Sequence, residues 1–144
     1  MPDPIKTQVR AAIETAVGDI TTANGKTYTL NVIDARAWPP PHVDLNTVVV
    51  PVTAERDPQT HSKATWNGVF IVAVDVAIPT SGDWFDKVDV IEADIYAAIE
   101  TDIQLGGTAV LAQVTDSVFE VSQRRLQIEV SVNYRHAVAN AYQA

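Results

Sequence analysis

The chain has 144 residues, of which 47% are hydrophobic and 19% are charged. That balance suits one globular domain and excludes wholesale disorder. The chain contains no cysteine, which excludes disulfides and thiolate metal sites. Its formal net charge of −8 argues against binding nucleic acid by phosphate neutralisation, so we expect its partners to be proteins.

No segment of the sequence predicts export or insertion into a membrane. Asp3 and Glu14 interrupt the apolar residues of the N-terminal region, whereas a signal peptide needs a continuous apolar run. The longest apolar run, residues 69–78, is broken by Asp75 and is far shorter than the ~20 residues of a membrane helix. We therefore expect a soluble protein that is made in the cytoplasm.

The first part of the chain predicts one helix followed by two strands. Apolar residues at helical spacing indicate a helix over 5–17. Alternating residues predict a strand over 28–33, which ends before the passage 38–41, because three consecutive prolines cannot donate to a central sheet ladder. A further strand over 46–54 contains Pro51, which indicates a sheet edge or a bulge.

A polar loop and the most apolar strand come next. Residues 55–63 are polar from end to end and predict an exposed hairpin loop. We expect residues 55–64 to be flexible, like the tail 137–144. The strand predicted over 65–78 is apolar on both faces. A strand of that kind belongs in the centre of a sheet.

The last third predicts an amphipathic helix and a long hairpin. Asp83 or Asp86 can cap a helix that runs to about Asp102 and ends at Gly106 and Gly107. The predicted buried stripe of this helix consists of Val88, Ile91, Ile95, Ala98, Ile99 and Ile103. The acidic residues predicted to face solvent are Asp86, Asp89, Glu92, Asp94, Glu100 and Asp102. Alternation then predicts strands over 110–121 and 124–135.

The predicted element order is α-β-β-β-α-β-β. This order indicates the α+β class, with one domain over 1–144 that contains an antiparallel or mixed β-sheet and two helices packed on one face.

The sequence offers no residue set that catalysis or metal binding would need. The three histidines, His42, His61 and His136, are far apart and form no metal-binding spacing. His61 lies near Glu55 and Asp57, so a weak metal or general-base site is conceivable, but a solvated loop histidine is the favoured interpretation. We therefore predict no enzyme, no cofactor and no metal site.

Several residues are candidates for contacts with a partner. Arginine and aromatic residues are enriched in interfaces, although Arg124 and Arg125 could instead keep a turn soluble, and Trp38 and Trp66 could instead be buried. The candidate residues come from the proline passage, the polar loop and its flanks, and the last hairpin: Trp38, Pro39, Pro40, Pro41, Arg56, His61, Lys63, Trp66, Arg124 and Arg125.

Five stretches carry a resemblance to a known family: the opening helix 5–17, the extended passage 38–52, and the stretches 91–96, 102–107 and 130–136 of the last third. Together they resemble the tail terminator, or minor tail protein, family of long-tailed bacteriophages. The resemblance covers nearly the whole chain in the order of its elements.

The resemblance implies a structural virion protein at the head-proximal end of the tail. Such a protein forms a ring, usually a hexamer, that caps the tail tube, ends its polymerisation and offers a docking surface to the head–tail connector or neck protein. A closed ring needs two different patches on each subunit. DNA would pass through the lumen without specific binding, since six copies would carry a formal charge of about −48.

Two other interpretations remain open at this stage. One is a neck or head-completion protein, which is another ring component of the same particle. The other is a small-ligand binding module, which predicts a concave apolar cavity between the sheet and the helices with a few converging polar groups.

Overall fold

The computed structural model describes residues 4–57, 65–79, 84–102, 105 and 111–137. Its two helices are α1 (Ile5–Gly18) and α2 (Trp84–Thr101), and its strands are β1 (Asn31–Val32), β2 (Asn46–Asp57), β3 (Thr65–Ala77), β4 (Leu111–Glu120) and β5 (Arg125–Ala137). The predicted order α-β-β-β-α-β-β and the α+β class are confirmed, with both helices packed against one sheet.

The sheet is mixed and has the strand order β1-β2-β3-β5-β4. The short β1 runs parallel to the start of β2, and the other neighbours are antiparallel. β3 lies at the centre, as its two apolar faces predict. β2 shifts register between Pro51 and Thr53, so the bulge, one of the two alternatives predicted from this proline, is confirmed.

The core lies between the two helices and one face of the sheet. Alternate residues of the two central strands point into it, among them Val72, Val74 and Val76 of β3 and Ile128 and Val130 of β5, all fully buried. α1 contacts β1, β2 and β5, whereas α2 contacts β4 and β5. Each helix therefore covers a different end of the sheet, and burial of their apolar stripes is the main stabilising contribution.

The stripe predicted for α2 is largely confirmed. Val88, Ile91, Ile95 and Ile99 are buried, and Ala98 is partly buried against the core. Ile103, Asp83 and the two glycines at 106 and 107 lie outside the described residues.

Two acidic residues of α2 are less exposed than predicted. Glu92 is half-buried, and its Oε2 accepts a hydrogen bond of 2.9 Å from the hydroxyl of Ser117 on β4. Asp94 keeps only 19% of its side chain exposed and lies 4.0 Å from the Nζ of Lys26. The expectation that both face solvent is wrong, because the edge of the sheet and the 21–30 segment reach the flanks of the helix.

The strand predicted over 28–33 is shorter in the structure. Only Asn31 and Val32 pair with β2, because the amide of Leu30 donates instead to the carbonyl of Ile20 after α1. Conversely, β2 continues to Asp57, beyond the predicted start of the loop. The remainder of that loop, residues 58–64, and the tail 138–144 lie outside the described residues.

Candidate interaction surface

A buried carboxylate organises the sheet face that lies opposite the helices. Asp75 is on the central strand and only 1% exposed. Its Oδ2 accepts hydrogen bonds from Trp38 Nε1 at 2.7 Å and from Gln127 Nε2 at 3.2 Å. The guanidinium of Arg125 lies 3.0 Å from Oδ2 through Nη2 and donates from Nε to Oδ1 at 3.3 Å. This set of contacts satisfies a charge that would otherwise be very costly to bury.

The same carboxylate fixes the proline passage onto the sheet. The guanidinium carbon of Arg125 lies 5.0 Å from the centroid of the Trp38 ring, which is cation–π distance. Pro40 is buried, and Val48 of β2, the register partner of Asp75, is fully buried as well. Trp38 itself remains 50% exposed. The N–H edge of the indole is therefore fixed by Asp75, and the exposed half of the Trp38 side chain is accessible to a partner.

The proline passage meets the turn between β4 and β5. His42 Nε2 donates to the carbonyl of Gln123 at 2.6 Å. A cavity of about 530 Å³ lies between the two segments, and the residues around it are Pro39, Pro40, His42, Ser122, Gln123, Arg124 and Arg125. Val43 and Val121, which belong to the same two segments, are 55% and 62% exposed. This part of the surface combines apolar side chains with cationic ones.

The structure separates the candidate contact residues into two groups. Trp38, Arg124 and Arg125 lie at the end of β3 where Asp75 is found, together with Pro39, Pro40 and Pro41. The backbone positions of Arg56 and Trp66 lie at the other end of the β2–β3 pair. Trp66 and Asp75 are nine residues apart on one strand, which corresponds to about 30 Å. His61 and Lys63 lie outside the described residues.

Arg125 differs from its predicted setting at an exposed hairpin tip. The turn comprises residues 121–124, and Arg125 is the first residue of β5, where it is only 8% exposed. Its acidic partner is Asp75 of the same chain. The main contribution of Arg125 is therefore to stability within the subunit.

Sequence reasoning missed Asp75 and Gln127 as members of this cluster. Asp75 was visible only as an interruption of an apolar run. A lone carboxylate on a strand that is apolar on both faces must be paired when the strand is central. That rule could have predicted a cationic partner on a neighbouring strand, although not which arginine.

The rest of the described structure offers few groups that are suited to catalysis or to ligand binding. A cavity of about 520 Å³ lies in the groove between α1 and α2, lined largely by alanine and threonine, and not between the sheet and the helices. Among the residues that the structure describes, no group of three acidic or histidine side chains is placed to hold a metal. None of the helices described is both long and apolar enough to cross a membrane.

Comparison with known proteins does not show the family of this chain. No protein-family model matches the sequence, and no curated protein matches it either. The resemblance to tail terminators therefore remains an expectation from the sequence.

Proposed function

We propose that this chain is a structural virion protein that forms a ring on the end of a phage tail tube. The ring ends tube polymerisation and provides the surface on which the head or neck docks. The proposal depends on the resemblance of five stretches of the sequence to tail terminators, and three of them, 5–17, 91–96 and 130–136, lie in α1, α2 and β5 of the α+β fold. Because one fold can host many functions, the proposal also needs support from the charge and the exposed side chains of the protein surface.

The distribution of charge supports the proposal. The chain is strongly acidic, and the described exposed positions include Asp86, Asp89 and Glu100 on α2 and Asp116 and Glu120 on β4. Negative charge in a ring repels DNA phosphates, so a genome could pass through the lumen without binding.

The partly exposed surface around Trp38 supports a protein partner. Aromatic and arginine side chains dominate the energetics of protein contacts when they are centrally placed and held in one conformation. The indole of Trp38 is held by its hydrogen bond to Asp75 and by Arg125, so little side-chain entropy is lost when a partner covers it. The tail tube protein and the head–tail connector are the proposed partners, together with other copies of the chain.

Mass measurement of the purified protein, alone and with tail tubes, tests this proposal. We expect a monomer or weak oligomer alone and a ring, most simply a hexamer, on tubes, because much of the contact surface is polar. A ring that binds purified neck or connector proteins but not tubes would instead identify a neck or head-completion protein. Stable binding of a metabolite without any association with tubes would contradict both and favour the ligand-binding class.

A further inference from the structure

β4 forms one edge of the sheet, and its outer side has no strand partner among the described residues. The strand order places β4 last, and it pairs with β5 alone within that set. In a strand that is paired on one side, the N–H and C=O groups of every second residue point away from the neighbour. Such a row of backbone groups is a template to which another extended chain can add as a further strand.

The opposite edge of the sheet is less suited to strand addition. β1 pairs with β2 only at Asn46 and Thr47, and β2 beyond them contains Pro51. Proline has no N–H to donate to a ladder, and it is typical of edges that are closed to pairing. β4 contains neither proline nor lysine, the residues that most often protect an edge strand. β4 is therefore the more open of the two edges.

A bulge in β4 defines the part of the strand that can accept a partner. The register shifts between Val114 and Asp116 and is then regular from Asp116 to Glu120. A regular stretch of that length spans about 17 Å, which suits one extended segment of similar length. The bulge prevents a longer continuous ladder and so limits open-ended sheet growth.

The side chains along this stretch of β4 specify the chemistry of a partner. Val118 is the register partner of Gln127, whose amide reaches Asp75 on the face opposite the helices. Asp116 and Glu120, two residues to either side of Val118, share that face. Both carboxylates are exposed, and Val118 is 44% exposed. One face of the edge strand therefore presents a carboxylate, an aliphatic side chain and a second carboxylate.

The flank of α2 beside this edge is acidic as well. Glu92 accepts a hydrogen bond from the hydroxyl of Ser117, which fixes this side of the helix against β4. Asp89, one turn earlier, lies on the same side of α2 and is exposed. Lys87, the one basic residue of α2, lies on the opposite flank together with Asp94. The edge of β4 is therefore acidic on both of its sides.

We propose that the β4 edge binds an extended basic segment of a partner protein, which adds to the sheet as a sixth strand. The segment would carry a cation, an aliphatic residue and a second cation at alternate positions, opposite Asp116, Val118 and Glu120. Opposite charges and aliphatic side chains that lie directly across two strands stabilise their pairing. The inference goes beyond the proposed function, because the contact can form with or without a ring.

The same charges reject a second copy of the chain as the occupant. Two β4 edges side by side would place carboxylates against carboxylates, which is destabilising. β2 ends with Glu55, Arg56 and Asp57, and none of the described strands carries two cations four residues apart. A cationic strand must therefore come from a different protein.

Titration with a synthetic peptide, followed by NMR, tests the proposal. The probe is the blocked peptide acetyl-TKTVTKT-amide, in which two lysines flank a valine at alternate positions and the threonines favour extended structure. We expect saturable shifts of the amide signals of residues 116–120 and none for β2. The same peptide with glutamate in place of both lysines should bind about tenfold more weakly or worse.

N-methylated peptides distinguish strand addition from simple attraction between charges. One peptide is methylated on the backbone nitrogens of its second, fourth and sixth residues, and another on those of its third and fifth. Only one alternate set of amides faces β4 in a bound strand. We expect one of the two peptides to lose about tenfold or more in affinity and the other to retain it. Equal binding by both would contradict strand addition.

Neutralisation of the edge is the matched test on the protein. Asp116→Asn with Glu120→Gln keeps the shapes of the side chains and removes both charges, so we expect the lysine peptide to bind about threefold to tenfold more weakly. The control is Glu14→Gln with Asp34→Asn, which changes the net charge equally but lies on α1 and next to β1, away from the β4 edge. The control should leave the affinity unchanged.

The outcomes separate this inference from the proposed function. The inference is overturned if residues 116–120 do not respond to millimolar peptide, or if Asp116→Asn with Glu120→Gln does not weaken binding. Concentration-dependent shifts of the same signals without peptide would assign the edge to a second copy and overturn it as well. None of these results concerns tube binding, so each leaves the proposed function standing. Failure to associate with tubes, in turn, leaves the edge contact standing.

Discussion

Replacement of Asp75 by alanine is expected to destabilise the fold by about 3–5 kcal/mol, because the substitution leaves the buried charge of Arg125 without its partner. Arg125 is 8% exposed, so water cannot replace the lost carboxylate easily. The indole N–H of Trp38 and the amide of Gln127 lose the same acceptor. Urea unfolding followed by circular dichroism measures the change in the free energy of unfolding.

Two further variants make this prediction specific to the buried ion pair. Asp116→Ala removes an exposed carboxylate and should change stability by less than about 0.5 kcal/mol. Combining Asp75→Ala with Arg125→Met removes both charges and should recover a substantial part of the loss, because no unpaired charge remains buried. An Asp75→Ala protein as stable as the Asp116→Ala protein would show that the cluster contributes little.

Truncation of Ile95 to alanine is expected to cost about 2–5 kcal/mol, since the side chain is fully buried where α2 packs on the sheet. For a domain whose total stability is of the order of 5–15 kcal/mol, this is a large fraction. The matched variant Ile95→Val removes one methylene and should cost only about 0.5–1.5 kcal/mol. The shift in the midpoint of thermal or urea unfolding measures both effects.

The size of this effect also reports on how tightly α2 is packed. If both Ile95 variants cost less than about 0.5 kcal/mol, the helix would not be docked on the sheet as described. If the two costs were equal, a local rearrangement would have absorbed the cavity left by the larger truncation. We expect stability to decrease in the order wild type, Ile95→Val, Ile95→Ala.

Hydrophobic periodicity was sufficient to predict the element order and most of the core. Residues of α2 such as Ile91 and Ile95, and alternate residues of β5 such as Ile128, are buried where their spacing indicates. The central position of β3 followed from its two apolar faces, and the bulge in β2 followed from Pro51, whose missing N–H interrupts a ladder.

Features that depend on contacts between distant segments could not be predicted in this way. The strand at 28–33 is truncated because Leu30 bonds to Ile20, a pairing that alternation does not encode. The role of Arg125 depends on its being diagonal to Asp75 across β3 and β5, which requires the register of the sheet.

The structure also changes which residues matter for the proposed ring. The sequence pointed to the proline passage and the last hairpin, which the structure brings together around Asp75.

Electron microscopy of particles made without this polypeptide tests the central claim most directly. The proposed function places the gene in a virus or prophage. The measurement is the length of the tails, and the fraction of tails joined to filled heads, after the gene is deleted. We expect tails of irregular length that remain separate from filled heads, and restoration of both properties when the protein is supplied. Tails of normal length joined to filled heads would contradict the account.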